Sequence, residues 1–143
     1  MTIARRILLL AAVTIVVCGC RGAPSYVCTR CNVVLVSIDT LRADHVGAYG
    51  YPRPTTPNLD RLARAGAGFQ NATAQSSWTR PAHMSMMTGR YPNEIGFVGL
   101  NDRKRLDDAV PTLASKLRSS GYTTVAFTGG VNVAASYGFD IGF

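Results

Sequence analysis

A run of apolar residues at 32–38, NVVLVSI, constrains the fold of this chain more than any other segment. Its hydrophobic positions follow one another directly and are rich in β-branched side chains, instead of alternating with polar residues. Such continuity is typical of a strand in a parallel sheet, because both faces of that strand are buried. We therefore expect a buried parallel strand over 32–38 that ends at the polar residues Asp39 and Thr40.

Two further segments, residues 69–74 and 123–127, predict additional strands. Three helical segments alternate with these strands, and each is opened by a proline and closed by a glycine, which are typical helix boundaries. The boundaries are Pro57 and Gly66, Pro81 and Gly89, and Pro111 and Gly121. Strands that alternate with helices predict an α/β fold with a parallel sheet.

The size of the predicted sheet is small for such a fold. The length of 143 residues makes one domain with its own core the natural expectation. Three strands are nevertheless few for a sheet that must be covered on both faces. A new loop also begins at residues 138–143, where the sequence stops. We therefore expect residues 32–143 to be the N-terminal part of a truncated, larger domain.

Residues 1–20 have the pattern of an export leader. Arg5 and Arg6 precede an uncharged apolar run that is too short for a typical membrane-spanning helix. The following Gly19-Cys20 step resembles a bacterial lipobox, in which cleavage precedes a cysteine that is then modified with lipid. We expect an exported cell-envelope lipoprotein, anchored to the membrane through Cys20, with residues 21–31 as a tether. An uncleaved signal anchor is the alternative.

The charge of the chain does not predict a nucleic-acid partner. The formal net charge is +7, but most positive residues are scattered singly. The cluster at residues 103–105 is followed closely by Asp107 and Asp108, whose negative charges offset it in part. Nucleic-acid binding favours a stripe of Lys and Arg with interleaved aromatic residues, which is missing here. We expect a mildly basic, solvated surface and no nucleic-acid partner.

Cys28 and Cys31 form a C-x-x-C pair outside the leader. A thioredoxin-like redox pair would follow a strand and open a helix, whereas this pair precedes a strand. A zinc site would need a second pair of ligands, which the sequence does not contain. We expect a disulfide in the tether of an exported protein.

Asp39 and Thr79 are candidate functional residues because of where they lie in the predicted fold. Ligands of open α/β sheets bind at the carboxyl ends of strands, where Asp39 lies, and a carboxylate there suits a hard divalent cation. Thr79 stands just before the helix opened by Pro81, where the helix dipole favours an anion. On position alone, Asp39 is a metal ligand or a helix cap, and Thr79 is a nucleophile or an N-cap.

Several long motifs occur in order along residues 32–143 and resemble the N-terminal part of the sulfatase family, within the alkaline-phosphatase superfamily. The motifs are NVVLVSIDTLRADHVGAYGY, TTPNLDRLARAG, FQNATAQSSWTRPAHMSMMTGRYP, TLASKLRSSGYTTVAFTGG and YGFDIGF. The resemblance implies part of an alkaline-phosphatase or sulfatase-like parallel-sheet sandwich. It also implies a divalent cation, Ca or Mg, with Zn or Mn as alternatives.

The resemblance assigns roles to individual residues. Asp39 matches the first metal-binding Asp of the family, and Thr40 stands where a second Asp often follows. The family signature, Cys or Ser followed by any residue, Pro, a small residue and Arg, aligns with Thr79 to His83. Thr79 and His83 are thus implied as catalytic residues, with Thr79 also beside the metal. Unlike Cys or Ser, Thr79 cannot become formylglycine, because its β-carbon carries a methyl group. Ile95 replaces a histidine that is common in the family.

Together these features predict part of an exported, metal-dependent, sulfatase-like hydrolase. Its substrate would be a sulfate or phosphate ester of a small molecule, glycan or lipid. One alternative is a phosphotransferase with a phospho-Thr79 intermediate, because a threonine nucleophile is familiar among phosphoryl-transferring relatives. The other is a non-catalytic, truncated lipoprotein, which Thr40, Ile95 and the missing second half favour. We expect residues 21–143 alone to be inactive.

Overall fold

The computed structural model describes residue 28, residues 31–97 and residues 104–143. The predicted leader, with its lipidation site Cys20, lies outside these described residues. The chain divides into two compact units, Met1–Val36 and Ser37–Phe143. In the first unit, Cys28 and Cys31 are joined by a disulfide with their Cα atoms 5.7 Å apart, as the sequence predicts. No helix of the described segments is long and apolar enough to cross a membrane.

Within the described residues, three α-helices confirm the helical half of the predicted pattern. They are α1 (Pro57–Ala65), α2 (Thr79–Thr88) and α3 (Leu113–Ser119). Helix α2 begins ahead of Pro81, which is tolerated because the first turn of a helix leaves its N–H groups unbonded. A capping box starts α3, in which the Thr112 hydroxyl accepts from the Ser115 N–H at 3.0 Å. Five short 3₁₀ helices complete the described elements, namely Ala43–His45, Gly47–Tyr49, Pro92–Ile95, Val131–Val133 and Ala135–Tyr137.

The predicted strands are not formed in this structure. Residues 32–38, 69–74 and 123–127 carry no strand, and no sheet occurs within the described parts of the chain. Val34 is 82% exposed and Phe127 is 96% exposed, although both were expected in a core. A parallel strand depends on hydrogen bonds to neighbouring strands and on layers that cover its faces. The expected parallel-sheet sandwich is therefore unconfirmed.

A small hydrophobic core lies beside α2. Met84 and Leu106 are almost completely buried, at 1% and 2% exposure. Ile95 and Phe97 complete this cluster, and Val110, Tyr137, Phe139 and Ile141 pack against it. Because these residues come from α2, residues 92–97, residues 106–110 and the C-terminal segment (residues 131–143), the core fixes all four to one another.

Arg105 fastens the C-terminal segment to the rest of the core region. Its guanidinium donates to Asp108 at 2.8 Å, to Asp140 at 2.9 Å and to the carbonyl of Ala135. Arg105 of the positive cluster thus pairs with Asp108, one of the two acidic residues that follow it. The hydrogen bond from Arg105 lowers the pKa of the Asp140 carboxyl below its usual value.

Asp60 joins α1 to the segment that follows Asp39. Its carboxylate accepts from the Ala48 N–H at 2.8 Å and from the Thr56 hydroxyl at 3.0 Å. The same Thr56 hydroxyl oxygen accepts from the Gly47 N–H at 2.9 Å. The 3₁₀ helix Gly47–Tyr49 is thus fixed to the first turn of α1.

Candidate active site

Asp39 and Thr79 come together although 40 positions separate them in the sequence. The Thr79 hydroxyl donates to one carboxylate oxygen of Asp39 at 3.1 Å and lies 3.4 Å from the other. Thr79 is the first residue of α2, and the N-cap position belongs to Trp78, whose side chain makes no capping bond. The Thr79 side chain therefore does not cap the helix, and its hydroxyl points to a carboxylate at the positive end of the helix dipole.

His83 lies one turn further along α2 and is held at both ring nitrogens. Nδ1 is 2.7 Å from the carbonyl oxygen of Thr79, and Nε2 is 2.8 Å from the hydroxyl oxygen of Ser37. A carbonyl oxygen can only accept, so Nδ1 carries a proton. In the neutral imidazole, Nε2 then accepts a hydrogen bond from the Ser37 hydroxyl.

The sequence reasoning missed Ser37. The signal that was available is its position two residues before Asp39, because residues i and i+2 of an extended chain lie on the same side. Ser37 is also the one polar residue between Val33 and Ile38. A polar residue in that place indicates that the side of the chain carrying Asp39 faces a polar site. The structure brings it to His83, which the sequence reasoning did assign to the site.

Arg80 anchors the start of α2 to the C-terminal segment. Its Nη2 donates to the Asn132 side-chain oxygen at 3.1 Å, and its guanidinium lies 3.6 Å from the centre of the Tyr137 ring. Such a contact between a cation and an aromatic face stabilises by about 0.5–1 kcal/mol at exposed sites. These three residues were also missed, and the only signal was the position of Arg80 directly after Thr79.

Thr40 and Ile95 depart from the pattern of the family that the sequence resembles, and the structure describes the backbone of the first and the burial of the second. Thr40 has a φ of 56°, in the left-handed region that β-branched residues rarely adopt. It offers a hydroxyl where a second carboxylate was expected. Ile95 is 7% exposed and belongs to the hydrophobic core, so this position contributes packing instead of an imidazole.

The oxygen atoms of Asp39 and Thr79 are of the type that a divalent cation binds, but they are too few to fill its coordination shell. A carboxylate and a hydroxyl are the oxygen ligands that Ca²⁺ and Mg²⁺ prefer, and such ions take about six to eight of them. Asp39 and Thr79 supply two oxygen-bearing side chains. Within the described ranges, no three His, Cys, Asp or Glu residues gather into a metal-binding group. Two side chains are fewer oxygen ligands than such an ion takes.

Comparison with known proteins gives one consistent result. A family model described as Sulfatase matches residues 31–140. An N-acetylgalactosamine-6-O-sulfatase of Bacteroides thetaiotaomicron is 33% identical over 96 residues, which cover 65% of this chain and 19% of the relative. Arylsulfatase A of Homo sapiens is 36% identical over 97 residues, with coverage of 65% and 19%.

Steryl-sulfatase of Homo sapiens is 33% identical over 111 residues, covering 71% of this chain and 19% of the relative. The chain thus spans about a fifth of the length of these curated relatives. No solved structure gives a significant match to the chain.

Proposed function

Because this chain belongs to the sulfatase family, we propose that it carries the Asp39–Thr79 part of the active site of a metal-dependent ester hydrolase. The family hydrolyses sulfate esters and generally uses a divalent cation. The observation that carries the proposal is the hydrogen bond from the Thr79 hydroxyl to Asp39, formed at the N-terminus of α2.

Thr79 is the proposed nucleophile. A threonine hydroxyl is a weak nucleophile at neutral pH and needs an adjacent group that draws on its proton. The Asp39 carboxylate accepts that hydrogen bond at 3.1 Å and directs a lone pair of the oxygen away from itself. The positive end of α2 favours the negative charge that develops on the transferred group.

Asp39 and Thr79 would also contribute oxygen ligands to the cation, together with ligands from outside the described residues. When bound, the cation supplies Lewis acidity to the transferred group.

The choice of threonine favours phosphoryl over sulfuryl substrates. In the proposed reaction, the Thr79 hydroxyl gives its proton to the Asp39 carboxylate as its oxygen forms a bond to phosphorus. The bond to the leaving alcohol breaks, and that alcohol takes up a proton from water. Water then hydrolyses the phospho-Thr79 ester, or an acceptor alcohol takes the group in the phosphotransferase alternative. Formylglycine would instead release sulfate by elimination from its geminal diol, and a threonine cannot follow that route. Phosphate esters should therefore react faster than sulfate esters.

The alcohol part of the substrate is proposed only as a class. The names of the relatives specify an N-acetylgalactosamine 6-O-sulfate, an aryl sulfate and a steryl sulfate. The relatives therefore differ in the alcohol and share the sulfate ester. We propose an ester of a small molecule, a glycan or a lipid.

Replacement of Thr79 tests the function in the full-length protein that contains residues 32–143. Thr79→Ala should abolish hydrolysis of p-nitrophenyl phosphate and the phosphopeptide detected by mass spectrometry, because no hydroxyl remains to attack. Thr79→Ser is the matched control and should retain turnover, since it keeps the hydroxyl. Full activity in Thr79→Ala would contradict the assignment, and inactivity of the unmodified protein on phosphate and sulfate esters would favour the non-catalytic alternative.

The proposed location is the cell envelope, with a lipid anchor at Cys20. The proposal is supported by the order of Arg5, Arg6, the apolar run and Cys20 in the sequence. One acyl chain gives only marginal attachment, so stable anchoring needs several chains. Cys20→Ser should remove incorporation of a labelled fatty acid and leave the leader uncleaved, whereas Cys18→Ser should leave both unchanged. Labelling that persists in Cys20→Ser would contradict the lipobox.

A further inference from the structure

Ser37 makes a second polar contact between the segment that carries Asp39 and helix α2. Its hydroxyl oxygen lies 2.8 Å from Nε2 of His83, and the two residues are 46 positions apart. We propose that Ser37 is a positioning residue for Thr79 and acts through His83. The proposal rests on the proposed role of Thr79 as the nucleophile.

The two contacts are matched in spacing. Ser37 and Asp39 are two residues apart, and an extended chain spans at most about 7 Å over that distance. His83 and Thr79 are four residues apart on α2, which corresponds to a rise of about 6 Å. Because the two spans are nearly equal, the Ser37–His83 and Asp39–Thr79 bonds bridge the segment and the helix side by side.

Two hydrogen bonds fix the relative orientation of the segment at 37–39 and α2, which one hydrogen bond cannot do. The Asp39–Thr79 contact alone would leave the segment at residues 37–39 free to turn about that point relative to α2. The Ser37–His83 contact, one helical turn away, removes this freedom and sets the direction in which the Thr79 side chain faces Asp39. Small errors in the placement of reacting groups reduce rates strongly, so such a second contact has a direct effect on the nucleophile.

His83 suits this role because imidazole can donate at one nitrogen and accept at the other. The Nδ1 proton goes to the Thr79 carbonyl at 2.7 Å, and the Nε2 lone pair receives the Ser37 hydroxyl proton. Lys and Arg have no acceptor nitrogen and cannot form both bonds. With both nitrogens held, the ring cannot rotate, and Thr79 is bound through its backbone as well as its side chain.

The tautomer of His83 provides the test, because the chain contains only two histidines. We would label the histidines of the 143-residue chain with ¹⁵N and record spectra in detergent micelles at about pH 8, above the ordinary imidazole pKa of about 6.5. We expect His83 as the Nδ1–H tautomer with a slowly exchanging proton. In Ser37→Ala, that proton should exchange about fivefold faster, as expected for loss of one neutral hydrogen bond. Ser37→Thr keeps the hydroxyl and should restore slow exchange.

His45 is an internal control in every spectrum. Its Nδ1 lies 3.0 Å from Asp44, and its ring stacks on Tyr51 with centroids 4.8 Å apart, so Ser37 does not contact it. Its signals should be the same in all variants. A change in both histidines together with loss of helicity would show that Ser37 only supports the fold, and would overturn the proposal.

Two further results would overturn it, and neither depends on turnover. One is an Nε2–H tautomer of His83 in the unmodified chain, a measurement that stands even if Ser37→Ala does not fold. The other is unchanged exchange in a folded Ser37→Ala variant. In the full-length enzyme, Ser37→Ala should lower kcat about tenfold with little change in KM, whereas Thr79→Ala abolishes turnover. Loss of the Thr79 assignment with the His83 result intact would therefore contradict the proposed function and not the hydrogen-bond chain.

Discussion

Two regions of this molecule carry large apolar side chains, yet they differ sharply in burial. Around α2, Met84 and Leu106 are 1% and 2% exposed. In the predicted strands, Val34 and Phe127 are 82% and 96% exposed. The difference lies in where the partners come from. The core around α2 is filled by residues within the described chain, whereas a strand needs other strands to bond with.

The two sides of the candidate active site differ in how they are supported. Thr79 begins a helix that is packed through Met84 and anchored through Arg80. Asp39 directly follows the apolar run at 32–38, which pairs with no other strand in the described chain. Its contact with Thr79 therefore depends on side-chain bonds, including the one that Ser37 makes to His83.

The largest expected effect comes from removing side-chain volume in the packed region. Leu106→Ala should destabilise the core around α2 by about 2–5 kcal/mol, because it leaves a cavity at a side chain that is 2% exposed. Hydrogen exchange of the α2 backbone amides in the 143-residue chain measures this change. Leu35→Ala is the matched control, since Leu35 is 52% exposed, and it should stay within about 0.5 kcal/mol.

Equal losses of stability in Leu106→Ala and Leu35→Ala would contradict the difference in burial between the two regions. If Leu35→Ala lowered amide protection as much as Leu106→Ala, residues 32–38 would be packed in solution. The predicted strand would then be formed in the isolated chain.

An effect of similar size is expected at Gly142, where the C-terminal segment crosses α3. Its φ of +94° favours glycine, and a β-carbon there would lie 2.7 Å from the backbone carbon of Ala114. Gly142→Ala should therefore combine backbone strain of roughly 1–2 kcal/mol with a clash of about 1–3 kcal/mol. Thermal loss of helical circular dichroism measures the sum.

Gly50→Ala separates the backbone strain from the steric clash. Gly50 has a similar φ of +98°, but no atom lies within 4 Å of the added β-carbon. Gly50→Ala should therefore show the strain alone, at roughly 1–2 kcal/mol. A Gly142→Ala effect no larger than that of Gly50→Ala would mean that the C-terminal segment does not pack against α3.

The helices were predictable from sequence because their signals are local. Proline and glycine marked the ends of α1 and α2 to within two residues, and the capping box at Thr112 lies entirely within the first turn of α3. The strands were not formed where the apolar pattern predicted them, because strand formation depends on partners that a short segment does not contain.

The candidate site was predictable in part. Asp39, Thr79 and His83 were assigned through the family motif, and the structure places them in contact, while their catalytic roles stay predictions. Ser37 and Arg80 were missed because their partners lie 46 and 52 positions away. No local spacing rule connects residues so far apart, and only the fold brings them together.

The smallest expected effect is the response of the packed region to acid. The hydrogen bond from Arg105 lowers the pKa of Asp140 in the folded chain, so this bond stabilises the fold above the unfolded pKa of about 3.9. The stabilisation should be lost as the pH falls below about 4 and through the lower folded pKa. Because both side chains are exposed to solvent, the effect should be small and should weaken from about 0.01 M to about 1 M salt, as the screening length shortens.

Asp140→Asn isolates this contribution from that of the other carboxylates. Amide exchange of α2 followed from about pH 5 to about pH 2 should fall less steeply in Asp140→Asn than in the unmodified chain, because the variant has no carboxylate to protonate at this position. Asp107→Asn is the matched control, since Asp107 is not among the acids that Arg105 pairs with, and it should keep the acid dependence. Identical acid profiles for the unmodified chain and Asp140→Asn at low salt would show that Arg105 does not fasten the C-terminal segment through this carboxylate. The hydrophobic contacts of Phe139 and Ile141 would then hold that segment against the core.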